Sequence, residues 1–303
     1  MLTVRVPATI ANMGPGFDSF GMAVSLCNRF SFQESDRDTL AFSPESTVQP
    51  EGLKGDGHDN ILFLAMDRLY EHIHAERPRF RVEVVADIPV ARGLGSSSTA
   101  VAAGLVAANR MAGGPLTTQD LLKLAIQMEG HPDNVAPALM GGVALYDTAP
   151  YRLPWPTEWR VLVLSPDYPV LTEEARRILP KSIAHTDAVY NLRKASLLTY
   201  ALLREDPEAF RESLHDRLHQ PYRRQLIKEY DVIERLVMDA GAFGMVISGS
   251  GSSMAVFYPT AVHAPLKEGL ESTIRSQGWP MLLNEVSVDT EGARILTTPS
   301  GVL

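Results

Sequence analysis

The stretch "PVARGLGSSSTAVAAG", residues 89–104, sets Gly93, Gly95 and three serines directly before a run of small apolar residues. The preceding "RFRVEVVAD" alternates, with Phe80, Val82 and Val84 on one face, and predicts a strand. The following "STAVAAGLVAANRMAGG" predicts a helix over 97–112, ended by Gly113-Gly114. A turn between the two needs one or two glycines, so this cluster suggests that something approaches the backbone closely. The first turn of a helix offers N–H groups without partners and a partial positive charge. Ser96, Ser97, Ser98 and Thr99 add hydroxyls, and together these favour a phosphate cradle over a serine-capped turn.

The two commonest phosphate motifs are excluded. No G-x-x-x-x-G-K-[ST] string exists, and Ser98 and Met254 stand where G-x-G-x-x-G needs its third glycine. Glycine-bearing loops recur at 12–18 and 248–252, each after a predicted strand, which suggests one site shared by both halves.

Outward from these loops, "LTVRV" reads as a strand stopped by Pro7, and "RFSFQES" as another. "DNILFLAMDRLYEHI" has helical spacing, with Ile61, Leu62, Met66, Leu69 and Ile73 on one face. Thr117 and Asp120 form a capping box for a helix ending near Glu129. "GGVALYD" and "EWRVLVLSP" read as strands. A helix from Thr172 stops at Pro180, and a longer one over 186–205 turns Val189, Leu192, Ala195, Leu198 and Leu202 inward. Asp206-Pro207 starts the next helix. "YDVIERLVMDAGA" and "HAPLKEGLESTIRSQG" read as helices, "GMVISGSGSSMAVFYP" as strand, loop and strand, and "MLLNEVSVD" as a last strand. The order is not strictly alternating, which favours an α+β fold over a doubly wound sheet. A boundary is expected near residue 165, dividing 1–165 from 166–303.

The 303 residues carry a net charge of −8, which argues against a general nucleic-acid or anionic-membrane binder. The single cysteine, Cys27, allows no internal disulfide and suits a reducing compartment. No signal peptide or membrane-length apolar run is read, so a cytoplasmic protein is expected. His215 and His219 lie four apart on a predicted helix, but nothing nearby completes a metal site. Taken alone, Glu129 would be a helix-end carboxylate, Asp18 a loop cap, and Arg176 a surface partner of Glu173.

The three loops together resemble those of the GHMP small-molecule kinases. The second family motif, near P-x-x-x-G-L-G-S-S-[AS], reads here from Pro89 through Arg92, Gly93, Leu94, Gly95, Ser96 and Ser97 to Ser98. The third reads "GAFGMVISGSGSS". "VPATIANMGPGFDSFG" (6–21), "EGHPDNVAPALMGG" (129–142), "TEEARRILP" (172–180) and "HQPYR" (219–223) are most similar to the branch that phosphorylates L-homoserine. The resemblance spans nearly the whole chain. It implies a two-domain fold, with an N-terminal domain like ribosomal protein S5 domain 2 and a ferredoxin-like C-terminal one.

It also implies that the 93–99 loop holds the ATP phosphates, that Asn60 contacts adenine, and that Ser97 and Glu129 bind Mg²⁺. Asn12, Asp18 and Asn134 would hold the amino and hydroxyl groups of L-homoserine. Arg176 and Arg223 would grip its carboxylate, and the loop bearing Gly249 and Gly251 would close on the substrate side. Ile10, Ser98-Thr99 and Ser252-Ser253 depart from the usual motif residues. The implied product is O-phospho-L-homoserine, on the way to threonine, in an enzyme that often forms dimers. Asn134 cannot take a proton and the resemblance gives Asp133 no such role, so positioning and metal catalysis without a dedicated base are expected, with Asn134, Glu129 and Ser97 as the catalytic set. The alternatives are a kinase of this family for another small alcohol, or a silent nucleotide-binding relative.

Overall fold

The structure, a computed structural model, describes residues 1–48 and 59–296. The chain runs β1 (Leu2–Ala11), β2 (Phe20–Ser35), β3 (Thr39–Phe42), α1 (Ile61–His72), β4 (Arg79–Val85), α2 (Ser96–Met111), α3 (Thr118–Glu129), α4 (Pro132–Met140), β5 (Val143–Tyr146) and β6 (Pro150–Leu153). It continues through β7 (Trp159–Pro166), α5 (Thr172–Arg177), α6 (His185–Arg204), α7 (Pro207–Ser213), α8 (Gln220–Arg223), α9 (Tyr230–Asp239), β8 (Gly244–Ile247), β9 (Met254–Pro259), α10 (His263–Gln277), β10 (Met281–Val286) and β11 (Arg294–Leu296).

One sheet has the order β11-β1-β2-β4-β3, with β5 on β2 and β6 on β5; the second is β10-β7-β9-β8. Among the described residues only the β3–β4 pair is parallel. The expected stop at Pro7 is wrong: β1 continues to Ala11, and its register with β2 shifts between Pro7 and Ala8. A residue without an N–H is tolerated in a strand where the ladder is already irregular.

Helices α1 to α4 cover one face of the first sheet, burying Leu62, Met66, Leu69 and Leu105 against Val4, Phe32 and Val82. Helices α9 and α10 cover the outer face of the second sheet through Ile233 and Leu266. Between the sheets lies a shared core that joins Ile10 and Met22 of the first to Val161 and Phe257 of the second. Phe210 of α7 centres its aromatic cluster, 4.4 Å from the Trp159 ring and 5.7 Å from that of Phe243. This shared core explains why no linker marks the boundary. We keep the two-part division as a proposal with two changes: the second sheet begins at Trp159, and β11 returns to the edge of the first.

Helix α6 is rotated from its expected setting. Leu198 and Leu202 are buried, but Leu192 is 68% exposed, and Asn191 and Lys194 point inward. Polar partners hold that rotation: Asn191 donates to Asp216 at 2.7 Å, and Lys194 to the Glu212 carbonyl at 2.9 Å. Residues 215–219 are not helical, contrary to expectation: His219 is fully buried while His215 is exposed. Helix α4 and the short strands β3, β6 and β11 were not predicted. Among the described residues no helix is long and apolar enough to cross a membrane.

Candidate active site

A cavity of about 750 Å³ opens where the three glycine loops meet. At its centre is the N-terminus of α2, whose cap, Gly95, has φ +69°. Ser96, Ser97 and Ser98 line the cavity from this first turn. Ser97 and Ser98 donate to the two Glu129 oxygens, at 2.8 and 2.7 Å. Glu129 ends α3, which its Thr117–Asp120 capping box starts at the register that brings the carboxylate there. The result is three hard oxygen groups beside a helix N-terminus, a donor set that fits a divalent cation such as Mg²⁺.

Two glycines here answer to protein rather than ligand. A Cβ on Gly93 would lie 2.1 Å from the Ser248 carbonyl oxygen, and one on Gly95 would lie 2.1 Å from Thr9 Oγ1. Both have positive φ. The loose backbone that the sequence suggests is shaped around a phosphate therefore has nearer causes: Gly93 packs main chain on main chain against loop 248–251, and Gly95 lies against the Thr9 side chain. Ser248 donates to the Gly93 carbonyl at 2.6 Å, and the Ser253 N–H to the Arg92 carbonyl at 2.9 Å.

On one side the cavity is apolar, walled by Phe30, Leu40, Phe42, Val84 and Ile88, with Asn60 at the edge. Asn60 Oδ1 caps α1 by accepting from the Leu62 N–H. The sequence hides this wall, because such side chains on alternating strands look like core.

On the other side the cavity is charged. Asp18 follows β1 in a left-handed conformation, and its carboxylate is paired with Arg176 of α5. Arg223 of α8 is buried, and donates to the carbonyls of Gly249 at 2.8 Å and Ala175 at 3.1 Å. Burial, reinforced by the positive charge of Arg176, brings its pKa down to about 10. Phe17 lies beneath both guanidiniums, 5.7 and 5.1 Å from ring centre to each. Asn134 Oδ1 accepts from Thr9 Oγ1 at 2.7 Å, which turns the Asn134 amide nitrogen to its other side. The sequence missed His131: its Nδ1 is 2.5 Å from buried Asp133, and that hydrogen bond, working against burial, raises its pKa. Donor atoms of Asp18, His131 and Asp133 all lie within 4.8 Å of one another.

The cavity thus gathers Asn12, Asp18, Asn60, Gly93, Gly95, Ser96, Ser97, Ser98, Glu129, Asn134, Arg176, Arg223 and Gly249 of the expected site. Pro89, Arg92, Leu94, Thr99 and Gly251 do not line it. Arg92 is drawn to Asp167 at 2.7 Å, and Leu94 is buried in the inter-sheet core. The Thr99 hydroxyl turns back to the Ser96 carbonyl at 2.7 Å, and its N–H is taken by Gly95. Asn12 lines the cavity but acts as a brace, donating to the Gly249 carbonyl and accepting from the Asp18 N–H.

Comparison with known proteins fits this geometry. The family model of the GHMP kinases N terminal domain matches residues 60–142, and that of the GHMP kinases C terminal matches 198–267. The chain belongs to the GHMP kinases, a class of ATP-dependent small-molecule kinases. It is 39% identical to a homoserine kinase of Desulfitobacterium hafniense, over 98% of this chain and 100% of the relative. It is 41% identical to that of Thermosynechococcus vestitus, over 90% and 92%. A solved homoserine kinase of Cytophaga hutchinsonii superposes with a TM-score of 0.88 at 28% identity, covering 97% of each chain. Within its class, the chain falls among the homoserine kinases.

Proposed function

We propose that the cavity transfers the γ-phosphoryl group of ATP to the hydroxyl of L-homoserine, giving O-phospho-L-homoserine, in the route to threonine. One observation carries the assignment of residues: a helix N-terminus flanked by Ser97, Ser98 and Glu129 shares one cavity with Asp18, Arg176 and Arg223. The first set suits a nucleotide triphosphate, and the second an amino acid, which carries a cation and an anion on one carbon.

The adenine sits against the apolar wall with Asn60 at its edge. The phosphates lie at the first turn of α2, where unpaired N–H groups and the helix dipole face them. A Mg²⁺ ion, held by Ser97 and Glu129, would supply charge neutralisation to the phosphates. Asp18 takes the ammonium, with Asp133 adding an acceptor nearby. Arg176 and Arg223 take the carboxylate, for which a planar guanidinium suits two-point binding. The Asn134 amide, oriented by Thr9, donates to the acceptor oxygen and holds it in line. That oxygen bonds to the γ-phosphorus as the bond from phosphorus to the β,γ-bridging oxygen breaks. The hydroxyl proton passes to an oxygen of the transferred phosphoryl group or to solvent, with no dedicated side-chain base, because alignment and charge stabilisation carry most of the barrier reduction.

ADP release with Mg-ATP, measured across L-homoserine, D-homoserine, L-serine, L-threonine, mevalonate and shikimate, tests this. Turnover with L-homoserine alone is expected. Turnover only with another alcohol would discard the assigned amino-acid contacts, and tight ATP binding with no turnover would favour a silent relative. A cytoplasmic setting and a homodimer belong to the same proposal, and light scattering on the purified chain checks the second.

A further inference from the structure

His219 belongs to none of the groups assigned above, yet it lies fully buried between the first glycine loop and Arg223. Its Nε2 is 2.8 Å from the Gly14 carbonyl oxygen. A carbonyl only accepts, so Nε2 carries the hydrogen. Its Nδ1 is 3.5 Å from Arg223 Nη1, and a guanidinium only donates, so Nδ1 carries the lone pair. Both neighbours therefore select the same neutral tautomer. Burial, opposed by the Asp216 carboxylate 3.6 Å from Nε2 and reinforced by the positive charge of Arg223, also lowers the pKa of His219.

The imidazole is fixed from outside the cavity. Buried Asp216 accepts from the main-chain N–H groups of Leu218, His219 and Gln220, at 2.6 to 2.9 Å. The Phe17 ring lies 5.2 Å from the imidazole, and Phe17 also supports the Arg223 guanidinium. Arg223 Nη1 continues to the Gly249 carbonyl, which also accepts from Asn12, and Asn12 in turn accepts from the Asp18 N–H. A chain of hydrogen bonds thus starts at Gly14, passes through His219 and Arg223 to the third loop, and returns to the first.

We propose that His219 is a positioning residue for the amino-acid end of the site, aiming Arg223 at the substrate carboxylate while anchoring the 12–18 loop. This rests on the reading of Arg223 as a carboxylate ligand. Removing the imidazole frees the guanidinium from one of its three fixed contacts without touching the phosphate end. The predicted effect is therefore confined to substrates that carry a carboxylate.

The test compares His219→Leu and His219→Gln with the wild type, using L-homoserine and its carboxylate-free analogue 3-amino-1-propanol. For His219→Leu, the KM for L-homoserine rises at least tenfold, while the KM for ATP and the turnover of 3-amino-1-propanol stay within about twofold. His219→Gln, whose amide nitrogen can still reach Gly14, recovers most of the loss. Arg223→Ala raises the KM for L-homoserine, and adding His219→Leu to it raises it no further.

Equal damage to both acceptor substrates, a parallel rise in the KM for ATP, or full additivity with Arg223→Ala would each overturn the proposal. Arg223→Ala with an unchanged KM would remove the reading on which it rests, and the proposal with it. If His219→Leu does not fold, His219→Asn, too short to span both partners, carries the same readouts with the same consequences.

Discussion

Asp18 and Arg176 face each other as a fork, with Nη2 to Oδ1 at 2.9 Å and Nη1 to Oδ2 at 3.1 Å. They come from opposite halves of the chain, the loop after β1 and helix α5, and they satisfy each other inside the cavity. An acceptor carrying a single charge would compensate one partner and strand the other. A zwitterion replaces both halves of the pair at once. A charge-assisted hydrogen bond is worth about 1.5–3 kcal/mol, so kcat/KM for 3-amino-1-propanol and for 4-hydroxybutyrate should each fall about tenfold to a hundredfold or more below that for L-homoserine. Asp18→Asn should reduce the preference over 4-hydroxybutyrate, and Arg176→Ala the preference over 3-amino-1-propanol. Steady-state kinetics with the three acceptors checks both.

Gly93→Ala and Gly95→Ala should be far more damaging than Gly113→Ala. All three positions have positive φ, at about 1–2 kcal/mol of strain for alanine. Around Gly113 nothing lies within 4 Å, whereas the other two meet protein atoms at 2.1 Å. Overpacking brings the expected loss at 93 and 95 to about 2–5 kcal/mol. Thermal melts of the three variants rank them.

Glu129→Gln keeps an acceptor for one of the two serines, offers an amide donor to the other, and removes the charge. The variant should fold with a melting temperature near wild type and need a higher Mg²⁺ concentration for half-maximal rate. Its kcat should fall about a hundredfold, in line with the loss of one charge-stabilising group at a reacting phosphoryl. Titration of activity against Mg²⁺ at saturating ATP reads both changes. An unchanged Mg²⁺ requirement would remove Glu129 from the metal site.

The His131–Asp133 pair makes a pH prediction. The hydrogen bond to Asp133 raises the pKa of His131 in the folded protein, against the opposing effect of burial. Its contribution to stability is then fully present below the ordinary histidine value of about 6.5 and is lost as pH rises through the raised folded value. Urea unfolding of wild type and His131→Gln at several pH values should show the largest gap on the acid side, closing as pH increases.

The sequence was most legible where one local rule acted alone. The capping box at Thr117, the proline start at Pro207 and the alternation of β4 all appear as predicted. It misled where tertiary partners overrode the pattern. Leu192 reads as a core residue by spacing, but α6 turns Asn191 and Lys194 inward because Asp216 and Glu212 await them. Pro7 reads as a strand end because a proline cannot extend a regular ladder, and the register shift that accommodates it leaves no trace in composition. At the site, motifs singled out the glycine loops and the arginines that line the cavity. They could not show that Thr99 faces the core, or that Arg92 is committed to Asp167. His131 pairs with Asp133 only two residues on, a spacing that matches no motif. His219 shows a spacing with His215 that points to a helix that does not form, while Gly14, which holds it, is remote in sequence and meets it through a main-chain carbonyl.

Gly93 sits against the third loop with no room even for a methyl group, and that closeness limits how such a protein can diversify. Neither loop can accept a bulkier residue or an insertion unless the other retreats in the same step. Single mutations that reshape the glycine-loop end of the cavity are therefore mostly closed off. Helices α5 and α8 reach the same cavity through side chains, so individual replacements there remain open. New acceptor preferences in this lineage should accumulate on those two helices, with the glycine seam inherited unchanged.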